Sequence, residues 1–92
     1  MVNMTKKQRD LFKLLKQLET FSQKGEKLFN GHYFLDDEID TLWGIIADEY
    51  DIDARLFTET DIADVLFEFG LGKITITQAH KQLKEISKEQ NN

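Results

Sequence analysis

Ninety-two residues carrying seventeen Asp/Glu against twelve Lys/Arg have a formal net charge of −5, and 40% hydrophobic with 32% charged side chains is the composition of one folded domain. The absence of cysteine excludes a disulfide framework, a thiolate nucleophile and a thiolate metal site. An acidic balance argues against broad affinity for nucleic acid or anionic membrane, and the opening MVNMTKKQRD lacks the apolar run of a signal peptide, so a cytoplasmic location is expected.

From Thr5 to about Gln23, Leu11, Phe12, Leu14, Leu15, Leu18 and Phe21 recur at helical spacing among Lys6, Lys7, Arg9, Lys13 and Lys16, which predicts a first helix. Gly25 reads as its break or C-cap, and Asn30-Gly31 as a turn that tolerates positive φ. The segment His32 to Leu35 reads as extended or irregular. Asp36 and Asp37 precede Ile39, Leu42, Trp43, Ile45, Ile46 and Tyr50, and acids in a first turn suit the free amides there, so a second helix is predicted over Asp37 to Glu49.

Beyond it, Ala54 to Phe57 reads as a short helical turn. Thr58 or Thr60 is a candidate cap for a third helix that carries Ile62, Val65, Leu66 and Phe69 inward and stops at Gly70 or Gly72. The stretch KITIT at 73–77 alternates like a strand, but a lone strand has no partner here. Thr75 with Gln78 fits a capping box and Ile74 with Ala79 the accompanying staple, so a fourth helix is expected to bury Ala79, Leu83 and Ile86. The ends at about 1–4 and 88–92 are expected to fray. The fold expectation is therefore a single all-α domain over residues 1–92, with four helices and short connections.

Charge is unevenly placed along this chain. Met1 to Asn30 holds seven bases and three acids (+4), Gly31 to Phe69 one base and twelve acids (−11), and Gly70 to Asn92 four bases and two acids (+2). On the second helix Asp37, Asp40, Asp48 and Asp51, and on the third Asp61, Asp64 and Glu68, stand at helical spacings that leave the apolar stripes free. These seven are the candidate partner-binding residues. Rows of carboxylate suit a basic protein surface, such as the phosphate-binding cleft of a nucleic-acid-handling enzyme, with opposite fields steering the encounter. Solubility is the plainer explanation of an acidic helix face.

No pattern for chemistry accompanies the charge. Read from Asp51 as a calcium loop, the sixth position is Leu56 where a glycine is needed. His32 and His80 stand too far apart, without cysteine, to suggest zinc. No acid/base pair, nucleophile or phosphate-binding fingerprint is present, so neither an enzyme nor a cofactor is expected. Two alternatives to the docking surface stay open. Val65 to Ala79 has the outline of a helix-turn-helix, with Thr75, Thr77, Gln78, His80 and Lys81 available to DNA, but Leu66 is large for that crossing and Asp61, Asp64 and Glu68 oppose phosphate. Pairing of the basic first helix with the acidic block of a second copy is the other, giving a salt-sensitive homo-oligomer; the same charges also have the option of pairing within one chain.

In size, acidity and lack of an active-site motif, the chain resembles small inhibitors encoded by phages and mobile elements, including anti-CRISPR proteins that mimic DNA. The resemblance implies a basic, nucleic-acid-binding partner protein. It rests on composition and size rather than on a motif, so it assigns no role to any residue. Small helical immunity proteins share the same general character, a likeness of fold only.

Overall fold

The computed structural model describes residues 4–31, 34–53 and 61–90, with the side chains of Asp61 and Gln90 outside the description. Within them the protein is all-α, with four helices: α1 (Lys6–Leu28), α2 (Asp36–Glu49), α3 (Asp61–Gly70) and α4 (Ile76–Gln90). The expected turn at Ala54 to Phe57, the candidate caps Thr58 and Thr60, and His32 lie outside the described residues.

Each helix end has a local cause. Thr5 caps α1 in a capping box, its Oγ1 accepting from the Gln8 amide at 3.0 Å while the Thr5 amide donates to Gln8 Oε1 at 3.0 Å. The helix runs through Gly25, correcting the break expected there, and ends where Asn30 (φ 56) and Gly31 (φ 86) turn left-handed and the Gly31 amide donates to the Glu26 carbonyl at 2.7 Å. Helix α2 begins after Leu35 (φ 67), with no side-chain cap, and Asp36, Asp37 and Glu38 face its positive end. Helix α3 closes through the Lys73 amide on the Glu68 carbonyl at 2.9 Å, with Gly72 at φ 81. The expected capping box then starts α4: the Gln78 amide donates to Thr75 Oγ1 at 3.1 Å, and the Thr75 amide to Gln78 Oε1 at 2.8 Å. That reciprocal pair settles KITIT as a helix entrance. Helix α4 continues to Gln90, and residues 91–92 of the tail expected to fray lie outside the described residues.

Helices α1 and α2 form an antiparallel hairpin, because contacts join opposite ends of the two. Lys7 pairs with Glu49 at 2.7 Å and Gln8 reaches the Glu49 carbonyl near one end, while Ser22 Oγ donates to the Phe34 carbonyl at 2.7 Å near the other. Helix α3 packs on α1 and α4 packs on α3, with His80 of α4 also reaching Tyr50 at the end of α2. Phe12 is the hub of the core: fully buried, it meets the rings of Phe69 at 5.0 Å and Tyr50 at 6.2 Å, both edge-on. Leu15, Ile39, Leu42, Ile46, Ile52, Ile62, Val65, Leu66, Ala79 and Leu83 complete it. All four residues expected to point inward from α3 do so, whereas Ile86 on α4 is only half-buried.

The apolar stripe of α1 departs from the expected one. Leu14 and Phe21 are exposed, and the inner face continues instead as Glu19, Ser22 and Gly25. The reason lies in the neighbours. A Cβ on Gly25 would stand 2.2 Å from the Phe34 ring, and one on Gly70 would stand 2.5 Å from Glu19 Cγ, so Phe34 packs directly on α1 at Gly25 and α3 meets the stem of Glu19 at Gly70.

Candidate functional site

The seven carboxylates singled out from spacing are distributed over two grooves and the outer surface. Asp37, Asp40, Asp48, Asp51, Asp64 and Glu68 are exposed, and the Asp61 side chain is outside the description. Of these, Asp37, Asp40, Asp48, Asp64 and Glu68 make no ion pair among the described residues. The bases of α1 therefore do not fold back on them. Lys7 is taken by Glu49, which holds its ammonium above the usual lysine range, and Lys16 lies 5.5 Å over the Phe69 ring.

The first groove lies between α1, α2 and α3 and is lined by Glu19, Ser22, Gln23, Glu26, Asp36, Ile39, Asp40, Trp43 and Phe67, enclosing a cleft of about 350 Å³. The second lies between α3 and α4, where Asp64 and Glu68 meet Glu85 and Glu89 beside Val65, Gln82 and Ile86. Asp40 thus belongs with acids of α1 and of the α2 start, and Asp64 and Glu68 with acids of α4. Asp37, Asp48 and Asp51 line neither groove. Spacing along one helix is a local property, whereas which rows share a groove is set by how the helices cross.

Glu19 is the residue that the sequence reading missed. It stands four residues after Leu15 on the inner stripe, is 6% exposed, and neither accepts a hydrogen bond nor makes an ion pair among the described residues. Burial, with Asp36 and Glu26 nearby, raises its carboxyl above the ordinary glutamate value. The signal was available, since Glu19 continues the Phe12–Leu15 inner stripe at helical spacing, and it was hidden because Leu18 and Phe21 offer a competing apolar stripe one position away. Trp43 borders the same cleft, and its indole N–H is buried without an acceptor among the described residues. The exposed ring of Phe67 forms another wall.

His80, a candidate DNA-reading residue in the helix-turn-helix alternative, is 3% exposed and bonded through Nδ1 to the Tyr50 hydroxyl at 2.5 Å, so it is not offered to a ligand. The Tyr50 hydroxyl and His80 Nδ1 share one hydrogen bond, and His80 Nε2 is buried without a partner among the described residues. Burial and Lys84 lower the His80 pKa, and burial raises that of Tyr50. Thr75, Thr77, Gln78 and Lys81 are exposed. Among the described residues no group of three or more His, Asp or Glu is placed to hold a metal ion, and no helix is long and apolar enough to cross a membrane. No protein-family model, curated protein or solved structure matches the chain.

Proposed function

We propose that this is a non-enzymatic binding protein that docks through its acidic grooves on a basic protein surface, of the kind that a nucleic-acid-handling enzyme presents to phosphates. The observation that carries the reading is the state of the carboxylates: Asp40, Asp64 and Glu68 are exposed, unpaired among the described residues, and gathered with Glu19, Glu26, Asp36, Glu85 and Glu89 into two grooves. Like charges within helical reach cost a few tenths of a kcal/mol per pair in isolation, and a basic partner would convert that repulsion into attraction. The likeness in size and charge to small phage and mobile-element inhibitors that mimic DNA agrees with it.

Capture from a bacterial lysate at rising salt tests the reading. Retention of a basic, nucleic-acid-binding protein should fall steeply with ionic strength, be displaced by duplex DNA, and be lost in a variant carrying Asp64→Lys and Glu68→Lys. Retention that ignores both salt and charge reversal would sink it. A DNA-binding regulator is the less favoured reading, since the α3–α4 groove beside Thr77 to Lys81 is acidic and His80 is committed to Tyr50. No electrophoretic shift with DNA is expected even at low salt, where phosphate contacts are strongest.

A further inference from the structure

We propose, resting on the docking reading above, that the cleft between α1, α2 and α3 is an anchor for one arginine side chain of the partner, with Glu19 as its buried carboxylate. Glu19 satisfies two conditions that an acidic cluster alone does not. The residue is 6% exposed and lines the cleft, and no donor among the described residues reaches its oxygens, which are not sealed from solvent and so open on the cleft. Its stem lies against the Gly70 backbone, where a single added carbon would meet its Cγ at 2.5 Å and its Cβ at 3.2 Å. Burial makes the charged form of this carboxyl less favourable than in open water, and a cationic ligand that brings donors to it offsets that cost.

The lining selects the ligand. Among the described residues no base borders the cleft, while Glu26, Asp36 and Asp40 add carboxylates at its rim, so an anion is repelled and a cation drawn in. No three of the described carboxylates are placed to hold a metal ion, and Ile39, Trp43 and Phe67 supply apolar and aromatic wall, which suits an organic cation. A guanidinium fits better than an ammonium, being planar, more weakly hydrated, able to stack on an aromatic face, and equipped with a fork of donors that serves Glu19 and a rim carboxylate together. The 350 Å³ cleft falls in the range of about 300–1,000 Å³ usual for pockets that enclose small ligands.

Trp43 is the only tryptophan in the chain, so its emission reports on this cleft directly. The probe is the capped tripeptide acetyl-Ala-Arg-Ala-amide, titrated at constant ionic strength beside its citrulline and lysine counterparts. The arginine peptide should change the Trp43 emission saturably with a low-millimolar midpoint, the citrulline peptide should bind about tenfold more weakly or not at all, and the lysine peptide should fall between them. Glu19→Gln should weaken the arginine peptide about tenfold while far-UV circular dichroism stays unchanged. Asp36→Asn provides a second variant at an exposed rim position, expected to weaken binding by a smaller factor.

Three results would overturn the anchor: a linear drift that sodium chloride reproduces, equal binding of the citrulline or lysine peptide, or a midpoint indifferent to Glu19→Gln. The docking reading fails separately. Salt-sensitive capture beside a silent titration removes the anchor and keeps the docking surface, and a responsive titration beside capture that ignores salt does the reverse.

Discussion

Glu19 occupies an inner position of α1 yet carries a charge that no donor among the described residues offsets. Its carboxyl pKa is raised on folding, so between the unfolded value near 4.5 and the raised folded value the native state binds more protons than the unfolded one, and stability falls as pH rises through that window. Glu19→Gln keeps the shape and removes the charge. Its melting temperature at pH 7.5 should rise by about 2–5 °C, a gain that shrinks as pH is lowered toward 4.5; an equal or lower value at pH 7.5 would show that the carboxylate is already satisfied. His80 acts in the opposite direction. Its pKa is lowered, so its contribution is complete above about 6.5 and is lost as pH falls through the folded value. Tyr50→Phe removes the hydrogen-bond partner of Nδ1 and should cost about 1–2 kcal/mol in urea melts at neutral pH, because both ring nitrogens would then be buried without partners among the described residues.

At the scale of the helices, the two glycines inside α2 and at the end of α3 separate backbone preference from close approach. Gly44 lies within α2 with open space where a side chain would point, so Gly44→Ala should stabilise by about 0.5–1 kcal/mol through helix propensity alone. Gly70 ends α3, and an added Cβ would stand 3.2 Å from the Cβ of Glu19, a close neighbour that cannot rotate away. Gly70→Ala should therefore cost about 1–3 kcal/mol, because α1 and α3 must move apart. Chemical denaturation of the pair measures both signs, and stabilisation by both substitutions would contradict the close crossing. The same crossing explains what was readable in advance. Helices α2 and α3 bury Ile39, Leu42 and Ile46, and Ile62, Val65, Leu66 and Phe69, as the spacing requires, although Ile45 of the expected α2 series and Phe67 are exposed. Helix α1 has apolar residues on more than one face, and choosing between Phe21 and Ser22 as the inner residue depended on Phe34 and Gly70, which approach from other parts of the chain.

For the whole molecule, the two grooves would make different demands on the proposed partner. The α3–α4 groove is lined mainly by acids, so charge reversal at Asp64 and Glu68 should act chiefly on the association rate and its salt dependence. The Glu19 cleft combines acids with aromatic wall and a buried carboxylate, so Glu19→Gln should act mainly on dissociation. Surface plasmon resonance with a captured partner at two salt concentrations separates these effects; identical rate changes in the two variants would mean that the grooves work as one undifferentiated field.

The amino-acid order alone determined four helical segments in their sequence positions, the capping box at Thr75 and Gln78, and the confinement of twelve acids to residues 31–69, because periodicity, capping and charge segregation are all local properties. Tertiary structure decided which carboxylates meet. Asp40 joins Glu19 and Glu26 from α1, a segment with net charge +4, and Asp64 and Glu68 join Glu85 and Glu89 from the basic last segment, so two acidic grooves draw on helices that a charge count would call basic. The physical reason is that a helix presents several faces. Which of them borders a groove depends on where its neighbours cross, and here the crossings at Gly25 and Gly70 turned a glutamate inward and left Leu14 and Phe21 outside.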